Sequence, residues 1–267
     1  MSSYSNFFNT SIGRKVLMSL TGLFLCLFLI VHLAGNLQLF KSDMGLAFNQ
    51  YSVFMTTFTP IKVISYLLYI TIIIHSINGW VLTRRNQAAR NIAYSAPKDT
   101  RSATWSSRNM GILGLILLIF LVTHMANFWY QYKFGSTPWV EYQVDLNTGH
   151  VLSAAPYNAL EGVSMVPHDF VTADASGTPV KVVVIKDLYA VVKAAFGQAW
   201  LVALYLIGMV ALSYHLIHGF QSSFQSLGLR HKLYTPVIRG AGLWIFGIII
   251  PVLFAAMPAY FFFFNNH

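Results

Sequence analysis

Four histidines lie inside long apolar stretches of the sequence, where ionisable side chains are rare and usually functional. They are His32, His75, His124 and His215. Neutral imidazole is a good axial ligand for haem iron, and two such ligands can hold one haem. An intramembrane histidine can also be a hydrogen-bonded packing residue or a member of a proton relay. Four histidines, one in each of four stretches, favour two bis-histidine haem sites over either alternative.

The sequence around these histidines repeats. Residues 22–34 align without gaps with residues 114–126, and the two segments share Gly, Phe, His and Ala at fixed offsets. Residues 75–80 and 215–220 both read His, three residues, Gly and an aromatic residue. The chain is therefore predicted to contain two repeated helix pairs and a fifth helix. A four-helix bundle offers facing side chains that can hold a cofactor.

Two details of the haem sites follow from the same motifs. Small residues near the histidines, Gly79, Gly219 and Ala34, leave room for a flat macrocycle beside the backbone. His218 lies three residues after His215 and shares its helix face approximately, so it is an alternative ligand. The repeat favours His215, because it aligns with His75. A different transition-metal site fits less well, since no carboxylate or thiolate accompanies the histidines.

Five apolar runs are long enough to hold these residues in a membrane, because a bilayer core needs about 20 apolar residues per helix. The sequence is 56% hydrophobic, and only 9% of it is Asp, Glu, Lys or Arg, against about 25% in ordinary globular chains. We therefore predict an all-α integral membrane protein with five transmembrane helices, four of which form a dihaem bundle. The predicted spans are about residues 16–40, 61–82, 110–130, 199–220 and 241–264.

Charge and cysteine content exclude other classes of protein. The net charge of +9 does not indicate nucleic-acid binding, because the basic residues sit in short loops between apolar runs, as cytoplasmic loops do. Cys26 is the one cysteine and lies inside an apolar run, which excludes an intrachain disulfide and a thiolate-ligated iron–sulfur cluster. We interpret the first run as a retained helix, since no small-residue cleavage site stands out after it.

The distribution of charge predicts the orientation of the spans. The N-terminus, the 2–3 loop and the 4–5 loop hold eleven Lys or Arg and one acid, whereas the other side holds six lysines and seven acids. The positive-inside rule therefore places the N-terminus in the cytoplasm and the C-terminus outside. The charged residues of the predicted cytoplasmic side are Arg14, Lys15, Arg84, Arg85, Arg90, Lys98, Asp99, Arg101, Arg108, Arg230, Lys232 and Arg239.

Orientation in turn predicts the depth of the histidines. Spans 1 and 3 run outward and carry His32 and His124 in their outer halves, whereas spans 2 and 4 run inward and carry His75 and His215 in the inner half. At 1.5 Å per residue the two levels differ by roughly 10–15 Å. The histidines are thus expected to pair at two depths.

Residues 131–186 form the one sizeable extramembrane segment, predicted to be a small extracytoplasmic cap. Residues 140–146 alternate as a half-exposed strand does, and residues 147–149 read as a hairpin turn before a returning strand. Residues 180–185 are a further candidate strand. The fourth span is expected to begin earlier, as an exposed helical extension over residues 188–192 capped by Asp187, and Pro251 is expected to kink the fifth span. The remaining histidines lie outside the spans and are expected to be solvated: His150, His168, His231 and His267.

The chain resembles the five-helix, dihaem cytochrome b membrane subunits of succinate dehydrogenases and fumarate reductases. Residues 11–15 (SIGRK) leading to residues 20–22 (LTG) are similar to that family's entry into its first helix, and residues 215–219 (HLIHG) are similar to its His-x-x-Asn-Gly haem motif. The resemblance covers nearly the whole chain. It implies a subunit of a succinate:quinone oxidoreductase in the cytoplasmic membrane of a prokaryote, with the dicarboxylate site on a partner chain.

The resemblance also implies cofactors and partners. Two haem b groups would carry electrons between an iron–sulfur subunit and a quinone, commonly menaquinone. The FAD and the iron–sulfur clusters would belong to a flavoprotein and an iron–sulfur subunit on the cytoplasmic face. His75 and His215 would hold the haem nearer the iron–sulfur subunit, and His32 and His124 the distal haem. The chain departs from the family in its larger cap and in having Asp43, rather than a glutamate, as the acid of the 1–2 loop.

Residues around the predicted haems are weaker candidates for contacts. Polar residues just outward of His32 can meet a quinone head group, or can be ordinary interfacial residues; they are Asn36, Gln38, Lys41 and Asp43. Polar residues near the inner ends of spans 1 and 3 can pair with haem propionates, set the topology, or dock soluble subunits; they are Ser19, Arg14, Lys15 and Arg108.

Two other functions fit some of these observations. The first is the dihaem cytochrome b anchor of another enzyme, such as a hydrogenase or formate dehydrogenase, or an ascorbate-type transmembrane reductase. The second is a transporter whose histidines relay protons. A transporter predicts inverted repeats and broken helices at mid-membrane, whereas the repeat here is parallel and charged residues are absent from the span centres.

Overall fold

The computed structural model describes residues 10–89, 104–158, 165–174 and 177–264. It is 72% helical and contains five helices that are long and apolar enough to cross a membrane. The predicted number of spans is confirmed, and the chain is a multi-pass membrane protein. The spanning helices, numbered first to fifth below, are Ser11–Phe40, Thr59–Ala88, Met110–Phe134, Ala199–Ser226 and Thr235–Phe264.

Each spanning helix contains the corresponding predicted apolar run and extends beyond it. The second helix continues past residue 82 through Arg84 and Arg85 to Ala88. Arginine and glutamine are good helix formers, and Arg85 in the last turn interacts favourably with the helix dipole. Four residues of the predicted charge pattern on this side, Arg90, Lys98, Asp99 and Arg101, lie outside the described residues.

The fifth helix changes its winding just before Pro251. Its first part, Thr235–Ala241, is α-helical, Gly242–Ile249 is π-helical, and Ile250–Phe264 is α-helical again. Proline has no N–H to donate to the carbonyl four residues earlier, which here belongs to Gly247. The Ser213 hydroxyl of the fourth helix donates to that carbonyl instead, at 2.5 Å. A side chain placed on Gly247 would collide with Ile217, so glycine allows this close approach.

The chain divides into two compact units, which are described separately. Unit 1 comprises Met1–Val31, Ser65–Leu121 and Ala203–Pro258. Unit 2 comprises His32–Ile64, Val122–Val202 and Ala259–His267.

Unit 2 contains a four-stranded antiparallel sheet. The strands, in the order β2-β1-β4-β3 across the sheet, are β1 (Trp139–Asp145), β2 (Val151–Tyr157), β3 (His168–Ala173) and β4 (Pro179–Lys186). The three predicted strands are confirmed, as is the turn before β2, where Gly149 adopts a φ of 71°. The strand β3 was not predicted, and all six of its residues are exposed. This edge strand carries no alternation of buried and exposed residues and forms by pairing with the backbone of β4.

A short helix that the sequence analysis also missed, Leu46–Thr57, packs on the sheet. Leu46 joins β-strand residues Val140, Tyr142, Val183 and Ile185 in a buried apolar cluster. The helix begins where the Asp43 carboxylate accepts hydrogen bonds from the backbone N–H groups of Gly45 and Ala47, at 3.1 and 2.9 Å. Such a capping carboxylate satisfies N–H groups that lack partners at a helix start.

Asn49 joins this helix to the sheet and to the next helix along the chain. Its side chain is fully buried and donates to the Tyr142 hydroxyl at 3.0 Å and to the Asp187 carboxylate at 2.9 Å. Its carbonyl oxygen accepts from the N–H of Tyr189 at 2.9 Å. Burial, together with the nearby charge of Asp187, raises the pKa of Tyr142.

Asp187 caps a helix as predicted, accepting from the N–H of Ala190 at 3.0 Å. That helix, Leu188–Phe196, ends at Gly197, and the fourth spanning helix begins afresh at Ala199. The expectation of one exposed helical extension was therefore wrong on two points. The two helices are separate, and the first is not fully exposed, because Val192 and Phe196 are buried.

Candidate functional site

The first candidate site lies in unit 1, where the second and fourth spanning helices bring His75 and His215 together. The centres of the two imidazole rings lie 6.2 Å apart, with an angle of 61° between the ring planes. His218 makes no ring contact with His75. The structure thus places His215, the residue favoured by the repeat, against its predicted partner.

The second candidate site lies in unit 2, where the first and third spanning helices bring His32 and His124 together. Their ring centres lie 5.7 Å apart and the ring planes are nearly perpendicular, at 86°. The third helix becomes π-helical directly after His124, over Met125–Tyr130. Single π-helical turns inside α-helices occur frequently at functional sites.

The spacing of both pairs suits two imidazoles that share one metal ion. A metal–imidazole bond is about 2.0–2.1 Å long and the ring centre lies about 1 Å beyond the nitrogen, so two ligands on opposite sides of a metal have ring centres about 6 Å apart. Both observed separations are close to this value. Within the described residues no group of three or more His, Cys, Asp or Glu could hold a metal ion. Each candidate site therefore offers two imidazoles among the described residues, a donor set that bis-histidine ligation of a haem would use.

Thr21 orients the His75 ring. The Thr21 hydroxyl donates to the carbonyl of Leu17 at 2.8 Å, so its oxygen is available to accept from Nδ1 of His75, 3.1 Å away. With the ring proton on Nδ1, Nε2 of His75 carries a free lone pair. Metal-binding histidines usually donate their second ring nitrogen in this way, which fixes the tautomer and the ring orientation.

Two buried polar atoms beside the histidine pairs have no hydrogen-bond partner among the described residues. They are Nδ1 of His215 in unit 1 and Nδ2 of Asn127 in unit 2. Buried polar atoms are normally hydrogen-bonded, and each exception needs an explanation. Each of these two atoms can therefore take a hydrogen-bond partner that the described residues do not provide.

Asn127 was not among the predicted site residues. It lies three residues after His124, as Asn78 lies three residues after His75. The shared His-x-x-Asn spacing was the signal that could have identified it. In unit 1 the Asn78 amide donates to the carbonyl of Arg14 at 2.8 Å, so the two asparagines differ in their partners.

The glycines near the histidines differ in what they face. A Cβ atom on Gly219 or on Gly114 would meet nothing within 4 Å, so both face open space. Gly219 lies one helical turn beyond His215, on the same face of the helix. A Cβ on Gly79 would lie 3.1 Å from the terminal methyl of Met18, and one on Gly22 would lie 3.4 Å from the His75 ring. The room expected beside Gly219 is present, whereas Met18 occupies that beside Gly79.

The residues predicted as propionate contacts lie in unit 1. The Arg14 guanidinium lies 3.4 Å from the side-chain oxygen of Asn78. Ser19 is buried and donates to the carbonyl of Lys15 at 2.9 Å. Arg108 ends the short helix Trp105–Arg108. These contacts give Arg14 and Ser19 structural partners.

The predicted quinone contacts lie in unit 2, in the turn after the first spanning helix. Gln38 belongs to the 3-10 turn Leu37–Phe40, and the backbone N–H of Lys41 donates to its carbonyl at 3.2 Å. Asp43 caps the next helix, as described above. Asn36 donates to the carbonyl of His32 at 2.8 Å. The hydrogen bonds of Asp43 and Asn36 are thus local ones.

Comparison of the chain with protein-family models, with curated proteins and with solved structures found no match.

Histidines outside the spans play no part in either site. His150, His168 and His231 are exposed, as predicted, and His267 lies outside the described residues. The Nδ1 atom of His231 accepts from the backbone N–H of Leu233 at 3.2 Å, within the turn between the last two spanning helices.

Proposed function

We propose that this chain is the membrane-anchor cytochrome b subunit of a succinate dehydrogenase or fumarate reductase. It would transfer electrons between an iron–sulfur subunit and a quinone, menaquinone in the first instance, through two haem b groups. The observation that carries the proposal is the pairing of the four intramembrane histidines, one from each of four helices, with ring centres 5.7 and 6.2 Å apart.

The chain's own residues have defined tasks in this proposal. His75 and His215 hold one haem iron, and His32 and His124 hold the other, while the irons supply one-electron redox chemistry. Thr21 keeps Nε2 of His75 unprotonated. Gly219 gives one macrocycle access to the helix backbone, and Asn127 donates a hydrogen bond beside the other pair.

The choice of partner enzyme rests on the family resemblance, and charge supports it. The N-terminus and the two loops predicted to face the cytoplasm hold eleven Lys or Arg and one acid. Such a surface is electrostatically suited to a peripheral electron-transfer subunit. The proposal includes a cytoplasmic N-terminus, a prokaryotic cytoplasmic membrane and an extracytoplasmic sheet. Electrons would pass between the iron–sulfur subunit and the haem of His75 and His215, and quinone would react near His32 and His124.

Haem content tests the first part of the proposal. The purified chain should carry two b-type haems, measured by pyridine haemochrome spectra against protein concentration. No Cys-x-x-Cys-His motif is present, so acidic acetone should extract both haems. His75→Ala and His215→Ala should each remove the same single haem. A folded preparation with one haem or none would contradict the dihaem assignment.

Copurification and turnover test the second part. Affinity purification from the native membrane should bring down a flavin-containing subunit and an iron–sulfur subunit. The complex should reduce quinone with succinate, or run the reverse reaction with fumarate. Loss of the haem held by His32 and His124 should abolish quinone turnover but leave succinate oxidation by a soluble dye intact. Copurification of hydrogenase or formate dehydrogenase subunits would contradict this enzyme while leaving the haem assignment standing.

A further inference from the structure

A polar cavity of about 120 Å³ lies in unit 1, between the end of the fourth spanning helix and the start of the fifth. Neither histidine pair lines it. The residues that matter for its chemistry are His218, Gln221, Ser222, Gln225, Arg230 and Arg239. This is where the structure places His218, the histidine that the repeat leaves without a partner.

The cavity combines cationic groups with hydrogen-bond donors. The Arg230 and Arg239 side chains form no hydrogen bond or ion pair with any described residue, and the same holds for the side-chain amides of Gln221 and Gln225. The sequence of unit 1 holds a single acid, Asp99, which lies outside the described residues. Two guanidinium groups without a carboxylate suit an oxyanion, which each can bind through two parallel hydrogen bonds.

The surroundings of the cavity are apolar and exposed. Leu229 lines the cavity and is 46% exposed, and the neighbouring Leu233 and Val237 are 80% and 69% exposed. Leu229 and Leu233 lie in the loop between the fourth and fifth spanning helices, and Val237 lies in the first turn of the fifth. A ligand that fills the cavity and also covers these side chains must join an oxyanion to hydrocarbon.

We propose that this cavity binds the phosphate of an anionic phospholipid, with Arg230 and Arg239 on the phosphate oxygens and the acyl chains against Leu229, Leu233 and Val237. Basic pockets between transmembrane helices are known to bind lipid head groups in this manner. The site requires neither haem nor partner subunits, and it assigns Arg230 and Arg239, two of the eleven cations on the predicted cytoplasmic side, to lipid and not to subunit docking.

Lipid binding to the purified full chain tests this site. The probe is dioleoyl phosphatidylglycerol added to delipidated protein in detergent, with bound lipid counted by native mass spectrometry. Dioleoyl phosphatidylcholine and inorganic phosphate form parallel arms. The double variant Arg230→Gln, Arg239→Gln should bind phosphatidylglycerol at least about tenfold more weakly, since it loses charge-assisted hydrogen bonds. The matched control Arg84→Gln, Arg85→Gln removes the same charge from another exposed basic site and should bind as the wild type does.

The other outcomes separate the sources of the oxyanion. If the double variant does not fold, Arg239→Lys keeps the charge but loses the two-pronged geometry, and it should still weaken binding. Displacement of the lipid by millimolar inorganic phosphate would make this a free-phosphate site and overturn the lipid assignment. Equal loss in both double variants would show that only net charge matters. A shifted haem spectrum in the cavity variant, with lipid binding unchanged, would assign the arginines to a haem propionate instead.

Discussion

Gly219 offers a sharp test of whether a flat cofactor occupies the space beside His215. A Cβ atom at Gly219 meets nothing within 4 Å, so the chain alone has room for a larger side chain. If that space remains empty in the working protein, the leucine of Gly219→Leu meets no obstacle, and the variant gains helix stability because leucine is a better helix former than glycine. If a macrocycle fills the space, the leucine side chain must compete with it.

The two possibilities predict free-energy changes of opposite sign, a stabilised helix in the first case and weakened haem binding in the second. Replacing glycine within a helix stabilises the helix by up to about 1 kcal/mol, so the haem-free protein should become slightly more stable. Overpacking an occupied site costs about 1–3 kcal/mol, which corresponds to about 5- to 150-fold weaker haem binding. We therefore expect Gly219→Leu to raise the unfolding temperature of haem-depleted protein and to lower the affinity for one of the two proposed haems.

Gly240 provides the matched control. It too faces open space and lies in the helical segment Thr235–Ala241, but no predicted haem ligand lies near it in the sequence. Gly240→Leu should stabilise the chain and leave both haems bound. Haem per chain, measured after dialysis against a haem-binding protein, compares the variants. Retention of both haems with unchanged affinity in Gly219→Leu would refute the placement of a macrocycle beside Gly219.

Three other perturbations have defined outcomes. His32→Ala and His124→Ala should remove the same haem, because their rings face each other, whereas His218→Ala should leave both haems bound; redox titrations of each variant distinguish the haems. Asn49→Ala should lower the free energy of unfolding by about 3–5 kcal/mol, since it removes three buried hydrogen bonds, one of them to a carboxylate; thermal unfolding in detergent measures it. Hydrogen bonds, chiefly from the backbone N–H of the second residue after it, lower the pKa of Asp145. Its contribution to the β1–β2 hairpin is therefore present above the unfolded pKa of about 3.9 and lost as pH falls through the lower folded value. Asp145→Asn should weaken amide protection in the hairpin at neutral pH, with the difference disappearing in acid.

The spanning helices and the histidine pairs could be predicted because their signals are local and repeated. Five long apolar runs specify five helices regardless of how they pack. The His-x-x-x-Gly spacing shared by residues 75–79 and 215–219 selected His215 over His218, and the structure places His215 against His75. The strand at residues 140–146 was visible because one of its faces is buried against Leu46.

The elements that were missed depend on partners distant in sequence. β3 has no buried face and exists because its backbone pairs with β4. The helix Leu46–Thr57 contains polar residues, among them Asn49. The Asn49 side chain can be buried because it donates hydrogen bonds to Tyr142 and Asp187, which are distant in sequence. The cavity at Arg230 and Arg239 likewise forms where two helices meet. The spacing of residues within one helix therefore does not predict it.

The distribution of satisfied and unsatisfied polar atoms indicates where the chain is built to bind something else. Around Asn49, every side-chain donor and acceptor described above finds a partner, although the site is fully buried. Beside the histidine pairs, Nδ1 of His215 and Nδ2 of Asn127 find none among the described residues, at a cost of about 1–3 kcal/mol each. In folded proteins nearly all buried polar atoms are hydrogen-bonded, so such free-energy costs are normally absent. The exceptions occur mainly at functional sites. The open space at Gly219 lies one turn from the first of these atoms, and His124 lies three residues from the second. The open space at Gly219 and the unpaired Nδ2 of Asn127 therefore support the proposed haem sites, and the haem content of the Gly219→Leu protein tests the first of them.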